Sequence, residues 1–124
     1  MDCVFCNLSI DRIVLRNDSF DAIHDKHPVT PGHMLIISQR HAENVFELSS
    51  EEFVQLHDMI KQVKTFLEKE YQPDGYNLGT NSGSCAGQSI PHFHLHVIPR
   101  YADSRRQSLV RIYTHSIEAT PLVQ

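Results

Sequence analysis

The feature that most constrains the fold of this chain is a histidine at every second position from residue 92 to residue 96, with apolar residues between them. In a β-strand successive side chains point to opposite faces, so His92, His94 and His96 would share one face and the apolar residues the other. Neighbouring histidines would lie roughly 7 Å apart, close enough for two of them to contact one phosphate group. The pattern predicts a half-buried strand with a row of imidazoles. A histidine-rich surface strand or an adventitious metal patch would show the same alternation.

Length and charge narrow the class of protein. The 124 residues predict a single domain over residues 1–124 with one core. A formal charge of −4 and the lack of a basic run argue against a nucleic-acid polymer or a membrane surface as the main partner. The sequence shows no secretory signal and no apolar stretch of membrane-spanning length, and three cysteines do not make a disulfide framework. We therefore expect a protein of the reducing cytoplasm.

The remaining strands follow from apolar runs between turn residues. Such runs predict strands over residues 20–25 and 33–38, with a proline- and glycine-bearing turn between them, and a third over 76–81. The second of these is almost continuously apolar, which is typical of a central strand covered on both faces. One more short strand is predicted over 108–112.

The helical part of the chain begins with a capping box, formed by Ser49 and Glu52. Apolar residues then recur at helical spacing, which predicts a long helix that packs on the sheet. These residues are Phe53, Leu56, Ile60, Val63 and Leu67. A shorter helix is predicted over residues 42–48. Strands and helices together predict an α+β fold.

Three stretches together resemble the signature of the histidine triad (HIT) family of nucleotide hydrolases and transferases. One is the alternation of histidines followed by two apolar residues, and another combines Asp25, a Pro-rich turn, Gly32-His33, an apolar strand and Arg40-His41. The third is the family stretch Asn-x-Gly-x-x-(Ala/Gly)-Gly-Gln-(Ser/Thr), which matches at Asn81, Gly83, Ala86, Gly87, Gln88 and Ser89. The resemblance spans residues 3–100. It implies an antiparallel sheet of about five strands, one long helix and a homodimer.

The resemblance also implies a chemistry that suits these residue types. A neutral imidazole is a good nucleophile toward phosphorus, and its ordinary pKa of about 6.5 leaves much of it neutral at pH 7. The resemblance makes His94 that nucleophile and places His96 on the phosphate oxygens. It assigns Gln88 and Ser89 to orienting the phosphate and the leaving group. Water would then hydrolyse the nucleotidyl-histidine.

The nucleotide itself would be held by residues from several parts of the chain. In the family pattern Asp25 accepts hydrogen bonds from the ribose hydroxyls, Asn81 contacts the phosphate or the ribose, and Gly87 belongs to the loop that approaches the phosphate. The base pocket is expected to be apolar and close to the N-terminus. Its candidates are Phe5, Leu8 and Ile23, each of which is equally compatible with a place in the core.

A metal site is the last element that the resemblance implies. By itself Cys3-x-x-Cys6 is either a redox pair or half of a metal site. His41 and His92 occupy the positions that, in cysteine-bearing HIT proteins, complete a closed zinc site together with the two cysteines. We therefore expect a structural zinc, with unpaired thiols as the alternative. No catalytic metal is expected. The remaining histidines are taken as ordinary surface or packing residues: His24, His27, His33, His57 and His115.

Three functions are therefore weighed. The first is hydrolysis at the α-phosphate of a purine nucleotide conjugate, which is a nucleoside phosphoramidate in one branch of the family and a dinucleoside polyphosphate in another. Ser89 fits the first branch and Ile98-Pro99-Arg100 the second. The second is a nucleotide-binding module that acts through protein contacts with little turnover. The third is metal storage, which leaves Asp25, Asn81 and the glycine loop unexplained.

Overall fold

The computed structural model describes residues 3–102, so the predicted strand over 108–112 lies outside the described residues. Five strands form one antiparallel sheet in the order β1-β2-β3-β5-β4. The strands are β1 Leu15–Arg16, β2 Phe20–His24, β3 Met34–Ser38, β4 Gly75–Gly79 and β5 His94–Arg100. The predicted α+β fold with about five antiparallel strands is confirmed.

One long helix, α1 (Ser50–Glu70), covers one face of the sheet. The predicted capping box is present, because the Ser49 hydroxyl accepts the backbone N–H of Glu52 while the Glu52 carboxylate accepts that of Ser49. The buried residues of α1 are Leu56, Met59, Val63 and Leu67. Three of these belong to the predicted stripe. Phe53, also assigned to the stripe, is instead 46% exposed.

The prediction of a helix over residues 42–48 is wrong. Only one 3-10 turn forms there, Val45–Glu47, and the Asn44 side chain caps it by accepting the N–H of Phe46. The next two residues, Leu48 and Ser49, already have extended backbone, and Ser49 is the N-cap of α1. Two caps five residues apart leave no room for a second helical turn.

The opposite face of the sheet is covered by the N-terminal segment. Its apolar cluster consists of Cys3, Phe5, Ile23, Leu35 and Ile37, with Leu8, Ile13 and Ile90 packed against it. In the register of β3 and β5, Leu35 lies opposite His96 and Ile37 opposite His94. Residues directly opposite in an antiparallel pair share a face. Both histidines therefore face the N-terminal segment and not α1.

The sheet is most deeply buried at its centre. All five residues of β3 are buried, as predicted for a strand covered on both faces. β5, beside it, is buried along its whole length, including its histidines. Within residues 3–102, α1 is the one α-helix, and it is not apolar enough to cross a bilayer.

Candidate active site

His94 opens β5 and presents a ring nitrogen that can act as a nucleophile. Its Nδ1 lies 2.8 Å from the carbonyl oxygen of His92. A carbonyl only accepts, so Nδ1 carries the proton and the neutral ring keeps its lone pair on Nε2. That Nε2 is buried and has no hydrogen-bond partner among the described residues. Burial also lowers the pKa of His94 below its ordinary value, which keeps the ring neutral at pH 7.

His96 is held in the complementary tautomer by His33. The backbone N–H of Val29 donates to Nδ1 of His33 at 3.1 Å, so His33 carries its proton on Nε2. That Nε2–H donates to Nδ1 of His96 at 2.9 Å, which leaves the proton of His96 on its own Nε2. Burial, with smaller contributions from Arg100 and His24, lowers the pKa of His33 to about 4 against the opposing effect of Asp25. Two neighbouring histidines on one face thus present a lone pair and an N–H donor.

The interpretation of His33 as an ordinary surface or packing residue is incomplete. It is buried, and it connects the backbone at Val29 to the imidazole of His96. The sequence did carry a signal for this role, since Gly32-His33 follows the Pro-rich turn in the family pattern. Sequence alone gives no indication that His33 and His96, 63 positions apart, share a hydrogen bond.

Asp25 lies just past β2 and turns one carboxylate oxygen toward this pair. Its Oδ1 accepts the backbone N–H of His27 at 2.8 Å. Its Oδ2 is buried without a hydrogen-bond partner among the described residues, 3.5 Å from Nε2 of His33 and 3.9 Å from Nδ1 of His96. The three side chains are close enough to hold a metal ion together. Because the bond from Val29 fixes the proton of His33 on Nε2, that nitrogen cannot be a ligand, and His33 and His96 form a hydrogen-bonded pair beside Asp25 instead.

The loop between β4 and β5 is organised by Gln88. Its Oε1 accepts the N–H of Gly83 at 2.8 Å, and its Nε2 donates to the carbonyls of Glu43 and Ile90. Gly83 and Gly87 have φ values of 94° and 95°, which glycine adopts readily and other residues rarely do. Gln88 therefore fixes the loop conformation, while the side chain of the adjacent Ser89 is exposed.

Asn81 lies where this loop leaves β4, which ends at Gly79 rather than at residue 81 as predicted. The hydroxyl of Thr80 donates to the carbonyl of His94 at 2.9 Å and holds this junction against β5. Nδ2 of Asn81 is buried and has no partner among the described residues. A buried amide donor of this kind is rare without a ligand or water to accept from it.

Phe5, Leu8 and Ile23, the candidates for the base pocket, share the apolar cluster of the N-terminal face. The Phe5 ring packs against that of His94, with centroids 5.1 Å apart, and against the edge of His92 at 5.9 Å. Phe5 and Ile23 are buried, whereas Leu8 is partly exposed. These residues thus form the apolar side of the site.

His92 does not belong to β5, which begins two residues later. The prediction of three imidazoles in one strand is right for His94 and His96 and wrong for His92. The Nε2–H of His92 donates to the carbonyl of Ser38 at 2.7 Å, so the ring's lone pair is on Nδ1. That nitrogen faces a different group of side chains, which come from the N-terminal segment and from the end of β3.

This group consists of Cys3, Cys6, His41 and His92, which could hold a metal ion. Nδ1 of His92 lies 3.4 Å from Sγ of Cys3, 3.5 Å from Sγ of Cys6 and 3.1 Å from Nδ1 of His41. Sγ of Cys6 is 3.0 Å from Nδ1 of His41. A zinc tetrahedron with Zn–S of about 2.3 Å and Zn–N of about 2.0 Å has edges of roughly 3.3–3.8 Å.

The residues therefore fit a closed tetrahedral site after shifts of a few tenths of an ångström. The bond from His92 to Ser38 is of the kind that orients metal-binding imidazoles and fixes their tautomer. The group matches all four residues that the sequence analysis nominated as ligands.

Comparison with known proteins gives one consistent result. Residues 9–103 of this chain match the protein family described as "HIT domain". The adenosine 5′-monophosphoramidase hnt1 of Schizosaccharomyces pombe is 33% identical over 104 residues, 81% of this chain and 75% of the relative. The asymmetrical bis(5′-nucleosyl)-tetraphosphatase of the same organism is 37% identical over 84 residues, 67% of this chain and 46% of that protein. The crystal structure of a hypothetical histidine triad nucleotide-binding protein from Sulfolobus tokodaii has a TM-score of 0.74 and 31% identity, covering 94% of this chain and 93% of that one.

Proposed function

Because this chain belongs to the HIT domain family, we propose that it cleaves a purine nucleotide conjugate at its α-phosphate by way of a nucleotidyl-histidine on His94. The observation that carries the proposal is Nε2 of His94, which is unprotonated, buried and without a partner among the described residues. A lone pair in this state has no structural use. It is what an in-line attack on phosphorus requires.

The reaction would take place in two displacements. The lone pair of His94 Nε2 forms a bond to the α-phosphorus, and the bond to the leaving group breaks with its electron pair, which takes up a proton from solvent. The carbonyl of His92 stabilises the ring as it becomes positive, because it accepts the Nδ1 proton. Water then attacks the same phosphorus, loses a proton to solvent and releases the nucleoside monophosphate. His94 returns to its neutral form, and configuration at phosphorus is retained.

Other residues would bind rather than react. Nε2–H of His96 would donate to a phosphate oxygen, and Nδ2 of Asn81 would donate to the phosphate or the ribose. Oδ2 of Asp25 would accept from the ribose hydroxyls. The loop containing Gly87 would bring backbone amides toward the phosphate, with Gln88 holding the loop and Ser89 orienting the leaving group.

We further propose that the group of Cys3, Cys6, His41 and His92 holds a structural zinc. A bound zinc would supply folding free energy and tie the N-terminal segment to the end of β3, with no open coordination position for a substrate. Nothing in the reaction requires a catalytic metal. A homodimer is also proposed, since β4 is an edge strand of the sheet that residues 3–102 form and Leu78 on it is 50% exposed.

The test is hydrolysis of adenosine 5′-phosphoramidate and of diadenosine polyphosphates, side by side, by the wild type, His94→Ala and His57→Ala. His57 is an exposed histidine of α1 and serves as the matched control. We expect His94→Ala to lose on the order of 10⁴-fold or more in kcat and the control to lose nothing. The compound that is hydrolysed faster shows which branch of the family, phosphoramidase or dinucleoside polyphosphate hydrolase, this protein resembles in activity. If the wild type binds AMP but cleaves neither compound, the protein is a binding module and the hydrolase proposal is wrong.

A further inference from the structure

A cavity of about 440 Å³ opens on the N-terminal face of the sheet. Its apolar lining includes Val4 and Leu8, and Leu8 packs on the same apolar cluster as Phe5, which touches His94. Its polar lining includes Arg12 and Lys26, and Lys26 follows Asp25 in the chain. Cavities of roughly 300–1,000 Å³ with a few placed polar groups are typical of small-molecule sites. The size and position suit one end of a bound nucleotide.

The charge of this lining is unusual for the molecule. The whole chain has a formal charge of −4, yet the lining contributed by residues 3–102 contains two cations and no acidic side chain. The guanidinium of Arg12 is not a loose surface group, because its Nη2 donates to the carbonyl of His24 at 3.1 Å. One end of the arginine is thus anchored to β2 while the remaining N–H groups stay available to a ligand. The cavity therefore offers donors and positive charge to whatever enters it.

We propose that this cavity receives the nucleobase and that Arg12 and Lys26 select a 6-oxopurine, guanine or hypoxanthine, over adenine. The inference rests on the proposed function and names the substrate class for that site. A 6-oxopurine presents two adjacent acceptors, O6 and N7, and arginine or lysine recognises this pair by hydrogen bonding. Adenine presents a 6-amino donor beside N7. This amino group would face the cations, and its N–H groups would find no acceptor there.

The apolar part of the cavity lining favours a nucleobase over a second phosphate group as its occupant. Val4 and Leu8 offer a surface for the face of a ring, while the cations meet only part of the lining. A phosphate would leave the apolar part uncovered. The position beside Asp25 also agrees with a base, because the base is attached to the ribose that Asp25 is proposed to hold.

The test compares the 5′-phosphoramidates of inosine, guanosine and adenosine as substrates of the wild type. We expect kcat/KM to be on the order of tenfold higher for inosine and guanosine than for adenosine. Lys26→Met and Arg12→Gln should each reduce the ratio of kcat/KM for inosine to kcat/KM for adenosine several-fold. Lys26 is exposed, so its replacement does not endanger the fold. Lys61→Met, on the exposed side of α1, is the matched control and should keep the full preference.

Each outcome decides the inference separately from the proposed function. If all three compounds are cleaved equally well, or adenosine best, the hydrolase proposal stands and the selection of 6-oxopurines is wrong. If Lys26→Met and Arg12→Gln weaken all three equally, the cations bind phosphate and the inference is also wrong. If none is cleaved, the hydrolase proposal fails, and calorimetry then decides the inference: tighter binding of IMP than of AMP supports it, and equal or weaker binding overturns it.

Discussion

The buried state of His33 predicts a specific loss of stability in mild acid. Its folded pKa of about 4 lies below the ordinary value of 6.5, so the unfolded chain takes up a proton first as the pH falls. The resulting loss in the free energy of unfolding begins below pH 6.5 and grows until the pH approaches 4. Between pH 7 and pH 4.5 this single group should reduce the free energy of unfolding by about 2 kcal/mol. His33 is 1% exposed, so solvent screening does not diminish this value.

The measurement is urea denaturation of the wild type and His33→Gln at pH 7, 5.5 and 4.5. Other groups also titrate over this range, and any bound metal is lost in acid, but both proteins share these effects. The wild type should therefore lose about 2 kcal/mol more than the variant between the two extremes. If the two proteins lose stability in parallel, the ring of His33 is protonated in the folded state and its assigned tautomer is wrong.

Three further changes test other parts of the site. Cys6→Ser should abolish the bound zinc that the wild type carries at about one ion per chain, as measured by mass spectrometry of the purified protein; equal zinc contents would contradict the tetrahedral group. Asn81→Leu removes a buried donor without a partner among the described residues, so it should weaken AMP binding about tenfold in calorimetry without lowering the melting temperature. A fall in the melting temperature would show that Nδ2 is satisfied in the unliganded protein. Gly83→Ala should reduce the free energy of unfolding by about 1–3 kcal/mol through backbone strain, because φ is +94°. An added Cβ would meet nothing within 4 Å, so a steric clash does not contribute to this loss. Gly75→Ala, equally open but without a positive φ, is its control and should lose little.

The parts of the fold that sequence predicted are those set by local physics. Alternation placed His94 and His96 on one face of a strand, and the pairing of Ser49 with Glu52 marked the start of α1. Both signals are complete within a few residues. The family motifs then nominated Cys3 and Cys6 as metal ligands, and the structure brings them together with two distant histidines.

What sequence did not predict depends on contacts between distant segments. The row of histidines continues to His92 in the sequence, but the bond of its ring to the carbonyl of Ser38 holds it outside the strand. A short helix was expected over residues 42–48, yet the caps at Asn44 and Ser49 divide that segment. The role of His33 required its partner on β5 to be known. Periodicity contains none of this information.

His92 connects the candidate zinc site, formed with Cys3, Cys6 and His41, to His94 through its own backbone carbonyl. That carbonyl accepts the Nδ1 proton of His94, while the ring of the same residue faces Cys3 and Cys6. A metal held there would fix the ring and hence the carbonyl, and so would keep the lone pair of His94 on Nε2. Loss of the metal would let the His94 ring populate its other tautomer, in which Nε2 is protonated and cannot attack. Cys6→Ser is therefore expected to lower kcat and also to raise KM, because Cys3 and other residues of the N-terminal segment that the metal would hold also line the cavity. A rise in KM at unchanged kcat would instead mean that the N-terminal segment serves binding alone.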